Sequence, residues 1–179
     1  MYKFPVNMQP SELKKSGPDP RSEPDGHISE PDRHVHIDLA SQRLDLKKSD
    51  ELLKSFPISS SALGTGHQEG SNQTPIGRFI ICEKIGHEAP PGMVFKSRLP
   101  TGELGTEEDP ADLVQTRILW LHGLEEHNSN TRDRYIYIHG TNHESSIGTP
   151  SSHGCIRMRN ADVIELFDAV EEGMEVVIA

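Results

Sequence analysis

The sequence predicts a mainly β fold, a single sandwich or half-barrel domain with one prominent helix near the C-terminus. Three observations carry that expectation. Apolar and polar residues alternate over short stretches, the period of a half-buried strand. The 179 residues include 15 Gly and 13 Pro and only 33% hydrophobic residues, a mixture that suits short strands joined by turns. One segment alone shows a sustained helical period, and the length suits one buried core with a tail.

Residues 1–33 mix Pro, Ser, Asp, Glu and Lys with few large apolar groups, so a flexible polar tail is expected there, with the domain running from 34 to 179. In "HVHIDLASQRLDL", Val35, Ile37 and Leu39 alternate with His36 and Asp38, and Ser41 and Gln42 make a turn into a second strand ending near Leu46. His34 and His36 share one strand face and read as a solvated edge. "FPISSSALGTG" predicts a strand entering a Gly-rich loop, and "TPIGRFIICEKIG" a strand with a buried centre from Phe79 to Ile85 that includes a packed Cys82 thiol. From Gly86 to Thr116 the pattern loosens into a turn-rich surface excursion of the kind that shapes a cleft, with Glu107, Glu108 and Asp109 solvated. "RILWL" and "RYIYIHGT" are two more strands, Trp120 serving as a core or cleft-wall aromatic. "NADVIELFDAVEEG" is the helix, with Asn160 as N-cap, Val163, Phe167 and Val170 on one face, and Gly173 as the C-terminal glycine. "MEVVIA" closes the chain as a strand.

A net charge of -10 opposes the phosphate attraction behind non-specific nucleic-acid binding, so nucleic acid is not an expected partner. No stretch approaches the roughly 20 apolar residues of a membrane span, and "MYKFPVNMQPSELKKSG" lacks the apolar core of a secretory signal. A monomer is expected. The two cysteines, Cys82 and Cys155, could form one bridge but belong to no dense framework.

"SSHGCIRM" at 151–158 is the stretch that points to chemistry. A lone cysteine is by default a small buried hydrophobe. Cys155, however, is flanked by Ser152, His153 and Gly154, and His139 ends a strand sixteen positions earlier, followed by Gly140. A thiolate is favoured by a neighbouring imidazole or by amide N–H groups, and Gly154 permits a backbone turn in which the Gly154 and Cys155 amides could line an oxyanion hole. His122, His127, His139, His143 and His153 crowd the same half of the chain, but without HExxH, CxxC or His-x3-His spacing, so no metal is expected.

"YIYIHGT" with "SSHGCIRMRNADVIELFDAVEEGMEVVIA" closely resembles the catalytic signature of the YkuD-type L,D-transpeptidases, and "TPIGRF" resembles that family's Thr-Pro-x-Gly-x-Phe segment. The likeness spans 34–179. It implies a cofactor-free cysteine acyltransferase in which Cys155 is the nucleophile and His139 the base, Gly140 orients the imidazole through its carbonyl, Ser152, His153 and Gly154 line the cleft, and Arg157 holds the loop or meets a substrate carboxylate. It further implies peptidoglycan stem peptides as partners, a donor tetrapeptide and an amine acceptor, and a cell-envelope role in wall biogenesis and cell shape, although no export signal is visible. L,D-carboxypeptidation, a thiol amidase acting on ordinary peptides, and a wall-peptide-binding module without turnover are the alternatives.

Overall fold

The computed structural model describes residues 33–179. The tail expected over 1–33 lies outside the described residues except for Arg33, which already opens the first strand. Ten strands follow in order: β1 (Arg33–Asp38), β2 (Arg43–Lys48), β3 (Glu51–Pro57), β4 (Gly77–Ile85), β5 (Met93–Lys96), β6 (Leu99–Leu104), β7 (Val114–Gly123), β8 (Tyr137–Gly140), β9 (Ile156–Met158) and β10 (Glu175–Ile178), with one α-helix, α1 (Asn160–Ala169), between the last two.

The strands form one hydrogen-bonded network, ordered β3-β2-β1-β10-β4-β7-β5-β6, with β8 on β7 and β9 on β8. The fold is therefore mainly β, an open curled sheet rather than two separate ones. β7 is the branch point. Ile118 pairs with Ile85 of β4 and with His139 of β8, while Gln115 pairs with Val94 of β5 and with Gly140. β4 and β5 thus share one edge of β7, end to end, and β8 takes the other. The register slips between Gln115 and Ile118 on the β8 side, and Thr116 sits there at φ 69. A β-branched residue in the left-handed region stores strain of about 1–2 kcal/mol, the mark of a bulge that re-aims the strand.

The main core lies on one face of the sheet and under α1. Val35, Ile37, Leu44, Phe79, Ile81, Leu119, Leu121, Ile138, Ile156 and Val176 are closed to solvent, and Val163, Leu166 and Phe167 of α1 complete the cluster. Each such side chain contributes about 1.5–3 kcal/mol by leaving water. A second, smaller cluster holds Phe95, Ile118, Trp120 and Tyr137, against which Cys82, Met93 and Cys155 pack.

Five local expectations change. In β4 only Phe79 and Ile81 are buried, because alternation turns Ile80 and Cys82 toward the half-buried face. β3 begins at Glu51, upstream of the expected strand. His34 and His36 are not on an edge: β1 lies between β2 and β10, and both are half-buried. The excursion from 86 to 116 contains the β5–β6 hairpin, which extends the sheet. The helix is capped from outside. Arg159, not Asn160, is the N-cap, and the Asn160 N–H donates to Glu144 Oε1 at 2.7 Å. At the other end α1 stops at Ala169, and Lys84 Nζ from β4 donates to the Phe167 and Val170 carbonyls, both at 2.6 Å. An ammonium satisfies the orphan carbonyls and complements the helix dipole, so Gly173 is left for the turn into β10. Cys82 and Cys155 are both free thiols.

Candidate active site

Parallel pairing of β8 with β9 brings the two halves of the sequence signature together, with Ile138 opposite Ile156 and His139 opposite Arg157. Extending that register back by one residue sets Cys155 beside Tyr137. Because side chains alternate along a strand, Cys155 then shares a face with Tyr137 and His139. The half-buried thiol accepts a hydrogen bond from Tyr137 N–H and donates to the Tyr135 carbonyl, each at 3.4 Å. His139 is 3% exposed, and its Nδ1–H donates to the Gly140 carbonyl at 2.7 Å, so Nε2 is the nitrogen left to take a proton.

Burial sets the resting protonation of this pair. It pushes the Cys155 thiol up to about 11, with Asp112 adding to the rise while Tyr137 N–H, Arg134 and Arg157 oppose it. Burial likewise lowers the His139 pKa below its usual value, against the Gly140 carbonyl and the Asp112 charge. A neutral thiol beside a neutral imidazole is the ground state near pH 7, not an ion pair.

The loop that carries the thiol is tied at every residue. Ser152 Oγ donates to the Cys155 carbonyl at 2.6 Å and accepts the Gly154 N–H at 3.2 Å. Of the two amides expected in an oxyanion hole, therefore, only Cys155 N–H is without an intramolecular acceptor among the described residues. Gly154 has φ +123, and a Cβ there would lie 3.4 Å from both Gln73 O and Ile136 Cδ1. Thr74 Oγ1, from "TPIGRF", donates to the Gly154 carbonyl at 3.0 Å. Gly140 is needed for close approach: a Cβ would meet Gln115 O at 2.8 Å. Thr116 Oγ1 donates to Asn160 Oδ1, and Asn160 Nδ2 donates to Thr141 O at 3.0 Å, so the bulge and the start of α1 brace the strand that carries His139.

Arg157 is 2% exposed, and both terminal nitrogens of its guanidinium are committed: Nη1 donates to Asp112 Oδ1 at 2.9 Å, and Nη2 to Ser146 Oγ at 3.1 Å and to Ser151 Oγ. Of its two expected roles, the geometry fits loop-holding. His153 is brought to the same carboxylate, Nδ1 lying 3.0 Å from Asp112 Oδ2, with most of its ring in solvent. Burial acts to raise the Asp112 pKa, but the hydrogen bonds from His153 and Arg157 outweigh it and hold the carboxyl below its usual range.

Asp112 is the residue that sequence reasoning missed. It stands 45 positions before Arg157, in a turn-rich segment with no periodicity to mark it. Of the other histidines, His143 is used structurally, with Nε2 2.8 Å from Asp109 O, and the His127 ring lies edge-on to His67 at 4.6 Å. Trp120 packs edge-on to Tyr137, its Nε1–H donating to Arg132 O at 3.2 Å. An apolar cavity of about 380 Å³, lined by Ile85, Met93, Phe95 and Pro100 among others, opens beside the β5–β6 hairpin and includes neither Cys155 nor His139. No helix among the described residues is long and apolar enough to cross a membrane.

Comparison with known proteins fits this geometry. The family profile of the YkuD L,D-transpeptidase catalytic domain matches residues 32–178. The YkuD protein of Bacillus subtilis (strain 168) is 30% identical over 145 residues, covering 81% of this chain and 65% of the relative, and that of Bacillus licheniformis is 32% identical over 144 residues, covering 80% and 64%. The chain thus spans just under two thirds of the length of these relatives. In fold, it resembles the L,D-transpeptidase of Xylanimonas cellulosilytica, with a TM-score of 0.54, 23% identity and coverage of 83% of this chain and 60% of that one. The Enterococcus faecium L,D-transpeptidase C442S mutant gives a TM-score of 0.53 at 18% identity, covering 83% and 50%. The chain belongs to the YkuD family of L,D-transpeptidase catalytic domains.

Proposed function

We propose that the protein is a cysteine acyltransferase that cross-links peptidoglycan stem peptides, with Cys155 as nucleophile and His139 as base. The observation that carries this reading is the parallel β8–β9 register, which sets the Cys155 thiol on the face of a buried, neutral His139 whose Nδ1 is pinned by Gly140.

Since the resting thiol is neutral, proton transfer accompanies attack. His139 Nε2 takes the thiol proton as Sγ adds to the carbonyl between the third and fourth residues of a tetrapeptide stem. The oxyanion that forms lies toward the Cys155 N–H. The C–N bond then breaks, His139 returns its proton to the departing D-alanine amine, and the stem remains as a thioester on Cys155. An amine from a second stem, the diaminopimelate side chain in the family's reaction, attacks that thioester and gives up a proton through His139 to the leaving sulfur, restoring the thiol and forming a 3→3 cross-link. Water in place of the amine gives a carboxypeptidase by the same steps. Gly140, Ser152, Gly154 and Arg157 act through the pair by fixing its backbone, and His153 stands at the solvent side of the cleft.

The test is product mass spectrometry on a diaminopimelate tetrapeptide muropeptide. A dimer lighter than two donors by one alanine, formed by the wild type and absent with Cys155→Ala, is the expected result. Tripeptide alone would make the protein a carboxypeptidase. Unchanged substrate with the wild type would turn the reading to a wall-peptide-binding module, and equal product from both proteins would remove Cys155 from the mechanism.

A further inference from the structure

The burial of Arg157 leaves a task unassigned. A peptide acyl donor ends in a carboxylate one residue beyond the bond that breaks, and the chain's net charge of -10 repels it. Some other cation must meet that group near Cys155.

One stands ready on the β5–β6 hairpin. Ser97 and Arg98 form its tip with φ values of 49 and 67, a left-handed pair that turns Arg98 back over the second cluster. Its guanidinium lies 4.4 Å from the Trp120 ring centroid and 5.2 Å from that of Tyr135, and Nη1 donates to Tyr137 Oη at 3.4 Å. Tyr137 donates its N–H to Sγ of Cys155 and its Oη accepts from Arg98, so one tyrosine bridges the guanidinium and the thiol. Arg132 adds a second guanidinium 5.0 Å from the same indole. Among the described residues, neither arginine has an ion-pair partner. A guanidinium stacked on an aromatic ring keeps its N–H edge open for bidentate contact with a planar anion.

We propose that Arg98, lying over Trp120 and Tyr135 at the hairpin tip, binds the C-terminal carboxylate of the acyl-donor peptide. The assignment rests on the acyl-transfer reading above and adds to it a residue that selects donors with a free C-terminus. Arg98 is a binding residue and takes no part in proton transfer.

The chain's one tryptophan is Trp120, so binding can be read directly by its fluorescence. A donor tetrapeptide and its C-terminal amide are each titrated into Cys155→Ala protein and into Cys155→Ala with Arg98→Gln or Arg98→Lys. With Arg98 in place, the free acid binds about tenfold more tightly than the amide, the scale of a lost hydrogen bond to a charged group. With Arg98→Gln the two bind alike, and Arg98→Lys restores part of the difference. An acid preference that survives Arg98→Gln, equal binding of both peptides to the Arg98 protein, or no saturable signal with either would overturn the assignment. D-alanine release by the Cys155 protein is scored separately. An acid preference without release would sink transpeptidation and leave the carboxylate site standing, while release without the preference would do the reverse.

Discussion

Two parallel strand pairs interrupt the otherwise antiparallel sheet, and they serve opposite purposes. β1 with β10 sets Val35 beside Val176 and Ile37 beside Ile178, all closed to solvent, and joins the first described strand to the last. β8 with β9 sets His139 beside Arg157 and Gly140 beside Met158. The backbone device is the same, but the first pair is filled by apolar volume, while the second adds to the buried Ile138 and Ile156 the hydrogen bonds of His139 and Arg157. Apolar packing degrades gradually as methylenes are lost, whereas a buried polar group loses its compensation all at once when a partner goes. The site pair therefore depends on loops outside the sheet, above all on Asp112 and Ser152, and the core pair does not.

The sharpest test of that contrast is the chemistry of the thiol. With a pKa of about 11 for Cys155 and a depressed one for His139, iodoacetamide should alkylate Cys155 about tenfold faster per pH unit from 7 to 10. A plateau near neutrality would mean a standing thiolate–imidazolium pair and would break the argument that burial keeps the site uncharged.

Next in size is stability to urea. Arg157→Met leaves the Asp112 carboxylate with His153 as its remaining partner and should cost about 3 kcal/mol, while Ile37→Val in the core pair should cost about 1 kcal/mol. Equal losses would show that the two strand pairs are held in the same way. Adding Asp112→Asn to Arg157→Met should recover part of the loss, since the half-buried charge left with His153 alone is then gone.

A smaller effect separates the two pairs by pH. The folded Asp112 pKa lies below its ordinary value of 3.8, so its ionised form binds the folded state better. That stabilisation is complete above the unfolded value and drains away as pH falls through the folded one. The stability gap between wild type and Asp112→Asn should therefore close in acid. A gap constant from pH 6 to pH 3 would contradict the hydrogen-bonded carboxylate. His139 acts in the same direction at higher pH: its depressed folded pKa means that its neutral form is favoured in the fold, so its contribution is whole above about 6.5 and falls as pH drops below that. The smallest expected change is Lys84→Met, about 1 kcal/mol, through the uncapped Phe167 and Val170 carbonyls, seen as a lower melting temperature with activity retained.

Legibility in the sequence follows the range of the interactions. The alternation of Val35 and Ile37 with His34 and His36 marks β1, because burial on one face is written into nearest neighbours. The stretches around His139 and Cys155 are readable as a pair because each is compact, with Gly140 and Gly154 beside the reactive group. By contrast, Asn160 has every local feature of an N-cap, yet its side chain is drawn to Thr116 and Thr141, contacts that exist only after β7, β8 and α1 have assembled. Gly173 loses its expected capping role to Lys84, 83 residues from the Phe167 carbonyl that it satisfies. Arg157 carries no sign in the sequence of whether it faces substrate or core.

By itself, then, the sequence determined the mainly β character, the helix after the thiol loop, and the cysteine–histidine signature, all of which are encoded in period and short-range chemistry. Tertiary structure alone decided that β8 runs parallel to β9, that Gly154 N–H is given to Ser152, that Asp112 closes the loop from a distant turn, and that Arg98 lies over Trp120 while Arg157 is buried against Asp112. The physical reason is that a buried polar group must find its partner wherever the folded chain provides one, and that choice is made in space, across tens of residues, without leaving a local pattern.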